Sequence, residues 1–362
     1  MTVAKYFIWM VFMRKLWVNL REIKLSIARL SVASLILFIL MLSNNFAYGA
    51  DWCSVSSVKA RALIDTNFYS KVKDRSPNPM PEVHSEGTLP HQGIRDESIK
   101  ARQDMPIMLK AALSWRATGD NKWLQIAQNY LLSWFSIYKL SFNPIDEDRL
   151  LPMVSSFVII QDTLPLEQQR KIRGILHRWA SGYIVRMKEG GHSNWQSHRL
   201  SIAVAIAVAL NDREMFSSLR SLFRRQIEKN INSDGVTYDF RARHAVHYAV
   251  YDLVPLVRAA LAARTMGEDW YFWRAPNGAS LNKAVDWVIP YAKGTKNHKE
   301  FPNAKGFDAA RAKAGVKDFS GNFEPKQAST LMWLSSQFNP QLASIASELS
   351  STPPFYLKMC GQ

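Results

Sequence analysis

The stretch IMLKAALSWRATGDNKWLQIAQNYLLSW, residues 107–134, decides the fold class. Apolar residues from Leu124 to Trp134 recur at spacings of three and four, which places them in one stripe along a helix. A helix over about 107–117 precedes them. Gly119 is placed to end this first helix, and Asp120 to cap the second. The stretch therefore predicts two antiparallel helices joined by a short turn.

The same helical pattern continues along the rest of the chain. A helix is expected near Pro165, because proline suits a first helical turn. Residues 199–210 are apolar nearly all round, as in a helix surrounded by others, and Asp212 opens the next helix. Convincing alternating strands are absent. These successive helix pairs predict an all-α fold, an α/α toroid, meaning an incomplete barrel of antiparallel helix hairpins around a cleft. A plain helix bundle is the alternative.

Three stretches lie outside the predicted helices: residues 70–93, 267–280 and 291–323. The last is rich in Lys, Asn and Gly, and we expect it to be a loop that crosses the cleft. Because neither a repeat of fixed period nor a linker interrupts residues 50–362, we interpret them as a single domain.

The first fifty residues have the composition of an export signal. Five basic residues between Arg14 and Arg29 precede an apolar run over residues 30–42, and small residues surround Gly49 and Ala50. The run is shorter than the roughly 20 residues of a membrane span. We therefore predict a signal peptide over residues 1–49, cleaved near Gly49/Ala50, and a periplasmic or secreted protein with no stable membrane insertion after processing. An uncleaved signal anchor is the alternative.

The net charge indicates the kind of partner. Removing the six Lys/Arg and one Glu of residues 1–49 from the net charge of +16 leaves +11 for the mature chain. Such a surplus attracts polyanions. An exported chain meets acidic polysaccharide more often than nucleic acid, so we expect an acidic polysaccharide as substrate. An exopolysaccharide export machinery is a further candidate partner.

The two cysteines of the sequence, Cys53 and Cys360, lie near the two ends of the mature chain. In an oxidising compartment they could form a disulfide; the alternative is two unpaired thiols. No Cys/His cluster has the spacing of a zinc site, so we predict no metal site.

Two segments combine polar and aromatic side chains beside apolar helices: GGHSNWQSHR, residues 190–199, and YDFRARHAVHYAVY, residues 238–251. Helical spacing predicts that Arg241, His244 and Tyr248 share one helix face, a turn apart. A cation and a phenol near a histidine from another helix would suit an acidic sugar. Alternatively, the histidines are structural and the tyrosine belongs to the core.

The first segment resembles the Asn-Asn-His-Ser-Tyr-Trp signature of the alginate lyase family, with His192, Ser193 and Trp195 in place. The second is similar to the family's Arg-containing helix segment at Arg241, Ala245, Tyr248, Tyr251 and Pro255-Leu256. The resemblance implies a periplasmic or secreted α/α-toroid lyase that needs no metal or organic cofactor. This chain departs from the family pattern at Gly191, Asn194 and Ala249, where the family has asparagine, tyrosine and histidine.

The resemblance also implies a reaction, β-elimination at a 4-linked uronic acid. Arg241 would neutralise the carboxylate, His192 or Tyr248 would take the C5 proton, and Tyr248 would protonate the departing O4. A syn arrangement of hydrogen and leaving oxygen, as in mannuronate or glucuronate, lets one tyrosine do both jobs. An anti arrangement needs His192 on the opposite face.

The missing amide at Gly191 leaves room for other substrate contacts. Asn194, Arg243 or His244 would supply them, and Trp195 and Tyr251 complete the predicted substrate-binding set. We expect the substrate to be a uronic-acid-containing exopolysaccharide, either alginate-like or glucuronate-containing.

Two rival functions use the same fold. A glycoside hydrolase would need two carboxylates across the cleft, for which the candidates are Asp146, Glu147, Asp148, Asp96 and Glu97. A non-catalytic periplasmic polysaccharide-binding or export protein would use the basic cleft and its aromatics without needing Tyr248.

Overall fold

The computed structural model describes residues 66–354 and residue 357, and these residues are almost entirely helical. The α-helices of this part of the chain are α1 (Thr66–Val72), α2 (Arg95–Ala101), α3 (Asp104–Thr118), α4 (Asn121–Ile137), α5 (Pro144–Glu147), α6 (Leu151–Ile160), α7 (Leu166–Lys188), α8 (Asn194–Leu210), α9 (Arg213–Asn230), α10 (Tyr238–Arg243), α11 (Val246–Thr265), α12 (Leu281–Ala292), α13 (Gly306–Lys313), α14 (Ser329–Ser335) and α15 (Leu342–Leu349). Extended backbone pairs in these residues only as isolated bridges, so the all-α prediction is confirmed. The predicted signal peptide and both cysteines lie outside the described residues.

The first hairpin forms where the sequence predicts it. Gly119 ends α3 with φ 70°, and its N–H donates to the carbonyl of Trp115. Glycine suits this left-handed position because it has no Cβ to clash. The side chain of Asp120 then accepts from the backbone N–H of Lys122 and caps α4. The two helices pack against each other and against α6.

Helix α8 lies at the centre of the fold. It packs against α7, α9 and α11, and most of its side chains are buried, as its all-round apolar sequence predicts. Asn211 ends α8 in the left-handed conformation, and the carboxylate of Asp212 caps α9 through the N–H of Met215. The helices α7, α8 and α9 thus alternate in direction, and such antiparallel hairpins build the predicted α/α toroid.

Helix α11 is a second core element. By length and composition alone it could cross a membrane, but 72% of its apolar window is buried inside the fold. Its main partner is α8, whose first turns carry residues 194–199 of the first polar segment. Its apolarity therefore reflects packing within the protein.

The prediction that Arg241, His244 and Tyr248 share one helix face is wrong. Helix α10 ends at Arg243, His244 has φ 50°, and a new helix begins at Val246. Arg241 and Tyr248 consequently lie on different helices.

Contacts from a distant part of the chain accompany this break. The carbonyl of His244 accepts from the N–H of Phe301 (3.1 Å) and lies 2.9 Å from Nε2 of His298. The buried carboxylate of Glu300 accepts from the N–H groups of Val246 and His247 at the start of α11. Glu300 therefore caps α11 from more than fifty residues away, which local spacing cannot reveal.

The segment 291–323 is only partly the predicted loop. It contains α13, and its ends pair at an isolated bridge between Lys299 and Asn322. Asp308 and Arg311 of α13 line the same cavity as Tyr248, so this segment forms part of the wall of that cavity.

Candidate active site

Tyr248 lines a cavity of about 550 Å³. Its walls come from the start of α8, from the α10–α11 junction, from the 305–319 segment and from three residues earlier in the chain. The lining residues are Asn194, Trp195, Arg243, His247, Tyr248, Tyr251, Lys305, Phe307, Asp308, Arg311, Phe319, Glu86, Ile145 and Arg149. The fold therefore assembles this site from five separate stretches of sequence.

The Tyr248 side chain lies between two cations. Nη1 of Arg311 donates to its hydroxyl oxygen at 3.1 Å, and the guanidinium of Arg243 lies 4.1 Å from the ring centroid. Asp308 bridges the pair: it accepts from Arg243 at 2.5 Å and lies 3.5 Å from Nη1 of Arg311. A negative charge on the phenol oxygen would therefore form beside one direct hydrogen-bond donor and a second nearby cation.

These neighbours act on the pKa of Tyr248 in opposite directions. Burial raises the pKa of the phenol above its ordinary value, and the Asp308 carboxylate raises it further. The cations Arg243 and Arg311 lower the pKa but do not offset the burial. With Asp308 in place, the phenol is therefore protonated near neutral pH, and any group that draws Asp308 away would favour the phenolate.

A second cavity, of about 840 Å³, adjoins the first and shares five lining residues with it: Glu86, Ile145, Arg149, Tyr251 and Arg311. The charged side chains that line it are the cations Arg95, Arg102, Lys110, Arg149 and Arg311 and one carboxylate, Glu86. Together the two cavities form an extended basic cleft. A cleft lined in this way attracts polyanions.

Three residues of the predicted site, Arg241, His244 and His192, do not line this cleft. Arg241 is exposed, and its guanidinium donates to the carbonyls of Val236 (2.6 Å) and Asn230 (3.4 Å). It lines neither cavity, so the structure does not place it as the partner of the substrate carboxylate. His244 is also exposed and contributes its backbone to the α10–α11 junction. Arg243 occupies the position beside Tyr248 that the sequence analysis assigned to Arg241.

The start of α8 divides its residues between the cleft and the interior. Trp195 lines the Tyr248 cavity, with Arg199 5.8 Å from its ring. His192 does not line this cavity: its ring packs edge-on against Tyr238 at a centroid distance of 4.4 Å. The structure therefore brings Trp195, but not the imidazole of His192, into the space around Tyr248.

Asn194 is anchored to a buried carboxylate. Its backbone N–H and its Nδ2 each donate to Asp239 at 2.6 Å. Nearby, Asp252 accepts from Ser197 at 2.5 Å and from Asn230. Burial raises the pKa of both carboxyl groups, and among the described residues neither has an ion-pair partner. The amide of Asn194 therefore stabilises the protein interior.

Sequence reasoning missed Arg311, Asp308 and Arg149. A pair at positions i and i+3 on a helix is a recognisable signal, and Asp308 and Arg311 have that spacing. The pair was not found because α13 itself was not predicted. Arg149 follows the acidic run 146–148, whose carboxylates were the candidates for a hydrolase. None of these three carboxylates lines the two cavities, whereas Arg149 lines both.

The carboxylates proposed for a hydrolase are engaged elsewhere. Asp146, Glu147 and Asp148 are buried: Asp146 accepts from Ser85, Glu147 from Trp179 among several donors, and Asp148 from Arg258. The other two candidates, Asp96 and Glu97, are exposed and line neither cavity. Within residues 66–354 and residue 357, no three His, Asp, Glu or Cys side chains group in a way that could hold a metal ion.

The helical toroid with a basic cleft and a buried tyrosine has the character of a polysaccharide-cleaving enzyme, and comparison with known proteins identifies the class. The alginate lyase family model matches residues 54–301, more than half of the chain. The chain therefore belongs to the alginate lyase family, and it is a polysaccharide lyase. No curated protein sequence matches it.

Solved structures show the same fold. An alginate lyase from Bacteroides ovatus aligns with TM-score 0.60 and 14% identity over 84% of this chain and 93% of that one. Alginate lyase A1-III from Sphingomonas species A1 aligns with TM-score 0.57 and 17% identity over 88% and 98%. A variant of alginate lyase A1-III complexed with a tetrasaccharide aligns with TM-score 0.58 and 17% identity, again over 88% and 98%. The α/α toroid is thus shared with these lyases despite low identity.

Proposed function

We propose that this protein cleaves a 4-linked polyuronate by β-elimination, with Tyr248 acting as both base and acid. The observation that carries the proposal is the position of the Tyr248 hydroxyl, 3.1 Å from Arg311 and beside Arg243, within a cleft lined by further cations. Family membership supplies the reaction type. The tetrasaccharide complex of alginate lyase A1-III supports an oligosaccharide chain as the occupant of the cleft.

In the proposed reaction, the substrate carboxylate takes the place of Asp308 as the partner of Arg243 and Arg311. Pairing with these cations withdraws charge from the carboxylate and makes the C5 hydrogen more acidic. The phenolate of Tyr248 takes this proton, and the electron pair forms the C4–C5 double bond. The C4–O4 bond breaks, and Tyr248 returns its proton to O4. One group therefore serves both proton transfers, and the protein ends the cycle unchanged.

The position of His192 bears on the substrate. Because its ring packs on Tyr238 outside the Tyr248 cavity, His192 is not in place to take a proton on the opposite sugar face. This arrangement favours syn elimination, in which the C5 hydrogen and O4 lie on the same side. We therefore propose an exopolysaccharide of 4-linked mannuronate, as in alginate, or of 4-linked glucuronate. The predicted signal peptide favours its action in the periplasm or outside the cell.

The test is a substrate panel. Purified protein is incubated with polymannuronate, polyguluronate and 4-linked polyglucuronate, and both ultraviolet absorbance and new reducing ends are followed. We expect absorbance from unsaturated ends with polymannuronate or polyglucuronate, and much less with polyguluronate. New reducing ends without absorbance would indicate a hydrolase. Polymer binding without either signal would favour the non-catalytic binding protein.

A further inference from the structure

Two neighbouring outer helices carry a large part of the net positive charge of the mature protein. Helix α7 has six Lys/Arg and one Glu, and α9 has five Lys/Arg and two Glu. Eleven cations against three carboxylates leave a net +8, compared with +11 for all of residues 50–362. The net positive charge from which we predicted a polyanion partner is therefore concentrated outside the cleft.

The cations of these helices face solvent. The opposite sides of both helices are buried, with Leu176 and Trp179 on α7 and Leu219 and Phe223 on α9. Both helices pack on α8 and also contact each other. The exposed cations, which we call the basic outer strip, are Arg170, Lys171, Arg178, Lys188, Arg213, Arg224, Arg225 and Lys229.

Folding does not explain the strip. In the part of the chain that the structure describes, the Lys and Arg side chains of α7 and α9 form one ion pair, Arg220 with Glu268, and Arg220 is not in the strip. Like charges at helical spacing repel each other and destabilise a helix. A surface of two helices on which eleven cations face only three carboxylates is suited to external anions.

The strip reaches the rim of the active site. The C-terminal ends of α7 and α9 flank the loop before His192: Arg225 donates to the carbonyl of Met187, and Nε2 of Gln226 donates to the carbonyl of His192 at 3.1 Å. Gly190 and Gly191 give this loop no side chain, and a Cβ built on Gly190 would meet nothing within 4 Å. A polysaccharide chain that leaves the cleft over this loop meets no side chain at Gly190 and Gly191 and then reaches the cations of the strip.

We infer that the basic outer strip is a second polyanion-binding surface, which holds the part of a long polyuronate that extends beyond the active-site cleft. The inference rests on the proposed function for the identity of the polymer. Helix α7 has 23 residues, so the strip can extend for up to about 35 Å. A short oligosaccharide occupies the cleft without reaching the strip, whereas a long polysaccharide contacts both the cleft and the strip. The strip therefore acts on the preference for long substrates and leaves the chemical step unchanged.

The test is a charge reversal at the end of α7 remote from the rim, Arg170→Glu/Lys171→Glu/Arg178→Glu. The matched control reverses three exposed cations of another surface, Arg274→Glu/Lys293→Glu/Lys296→Glu. At low salt we expect the α7 variant to lose about tenfold or more in kcat/KM on long polyuronate, in the range that electrostatic steering supplies. Its kcat/KM on a tetrasaccharide of the same polymer should equal that of wild type, and the difference on long polymer should shrink as salt is raised.

The possible outcomes separate this inference from its rivals. Unchanged kinetics on long polymer, an equal loss on polymer and tetrasaccharide, or the same loss in the control variant would overturn it. So would unchanged polymer kinetics together with lost binding to phosphatidylglycerol vesicles, since the strip would then serve a membrane surface. If the panel yields no unsaturated products, the proposed function fails. If the wild type and the control variant are retarded during electrophoresis in a polyuronate-containing gel and the α7 variant is not, the strip would still be supported as a polyanion-binding surface.

Discussion

The start of α8 and the α10–α11 junction both resemble the alginate lyase family in sequence, yet they use their polar side chains differently. At the start of α8, His192 packs on Tyr238 and Asn194 binds Asp239. At the junction, Arg243 and Tyr248 meet in the cleft. A matching motif therefore identifies the segment that contributes to a site. Which side chain enters the cleft depends on how the segment is anchored.

The largest expected effect tests the role of the junction. Tyr248→Phe removes one oxygen and leaves the ring packing intact, so folding should be preserved. Turnover should fall by a factor of ~10² or more, which is the usual contribution of a positioned acid–base group. Absorbance of unsaturated ends measures the rate, and the circular dichroism spectrum checks the fold. Near-normal turnover would remove Tyr248 from the chemistry and would favour the start of α8.

A pair of arginine variants sharpens the comparison within the junction. Arg243→Ala should cost ~10² in turnover, because it removes a cation from the site of the developing charge. Arg241→Ala should change turnover little, because its guanidinium contacts backbone carbonyls away from the cleft. The two variants are compared at saturating substrate. The reverse ranking would show that the position read from the family motif, and not the geometry, identifies the catalytic cation.

Asn194→Ala tests whether the start of α8 stabilises the protein or contacts the substrate. The substitution removes one of the two hydrogen bonds that Asn194 makes to the buried carboxylate of Asp239. We expect the free energy of unfolding to fall by about 1–3 kcal/mol, the penalty for an under-satisfied buried group. Urea denaturation measures this change. A ~10² loss of turnover with unchanged stability would instead mean that the Asn194 amide pairs with the substrate.

The smallest effect is a shift of the pH–rate profile. If Tyr248 must be deprotonated, kcat/KM rises with pH toward the pKa of Tyr248. Arg311 lowers that pKa, so Arg311→Gln should move the rise to higher pH. Asp308 raises it, so Asp308→Asn should move the rise to lower pH. Shifts in the same direction, or no shift in either variant, would argue against Tyr248 as the base.

Much of the fold could be predicted from the sequence. Apolar spacing predicts the helices, and local turn chemistry predicts their ends, because Gly119 and the Asp120 cap act on atoms only a few residues away. The family, and Tyr248 as a candidate catalytic residue, also follow from short motifs. These are properties of contiguous residues, and a linear pattern can therefore carry them.

The orientation of the site was decided by the tertiary structure. Glu300 caps α11 from a distant segment, which accompanies the break at His244 and leaves Arg241 on a different helix from Tyr248. Arg311 reaches Tyr248 from α13, 63 residues further along the chain. Burial then sets the upward direction of the Tyr248 pKa shift, which Arg311 opposes. Such contacts depend on which distant segments pack together, and the spacing of residues within one segment does not contain that information.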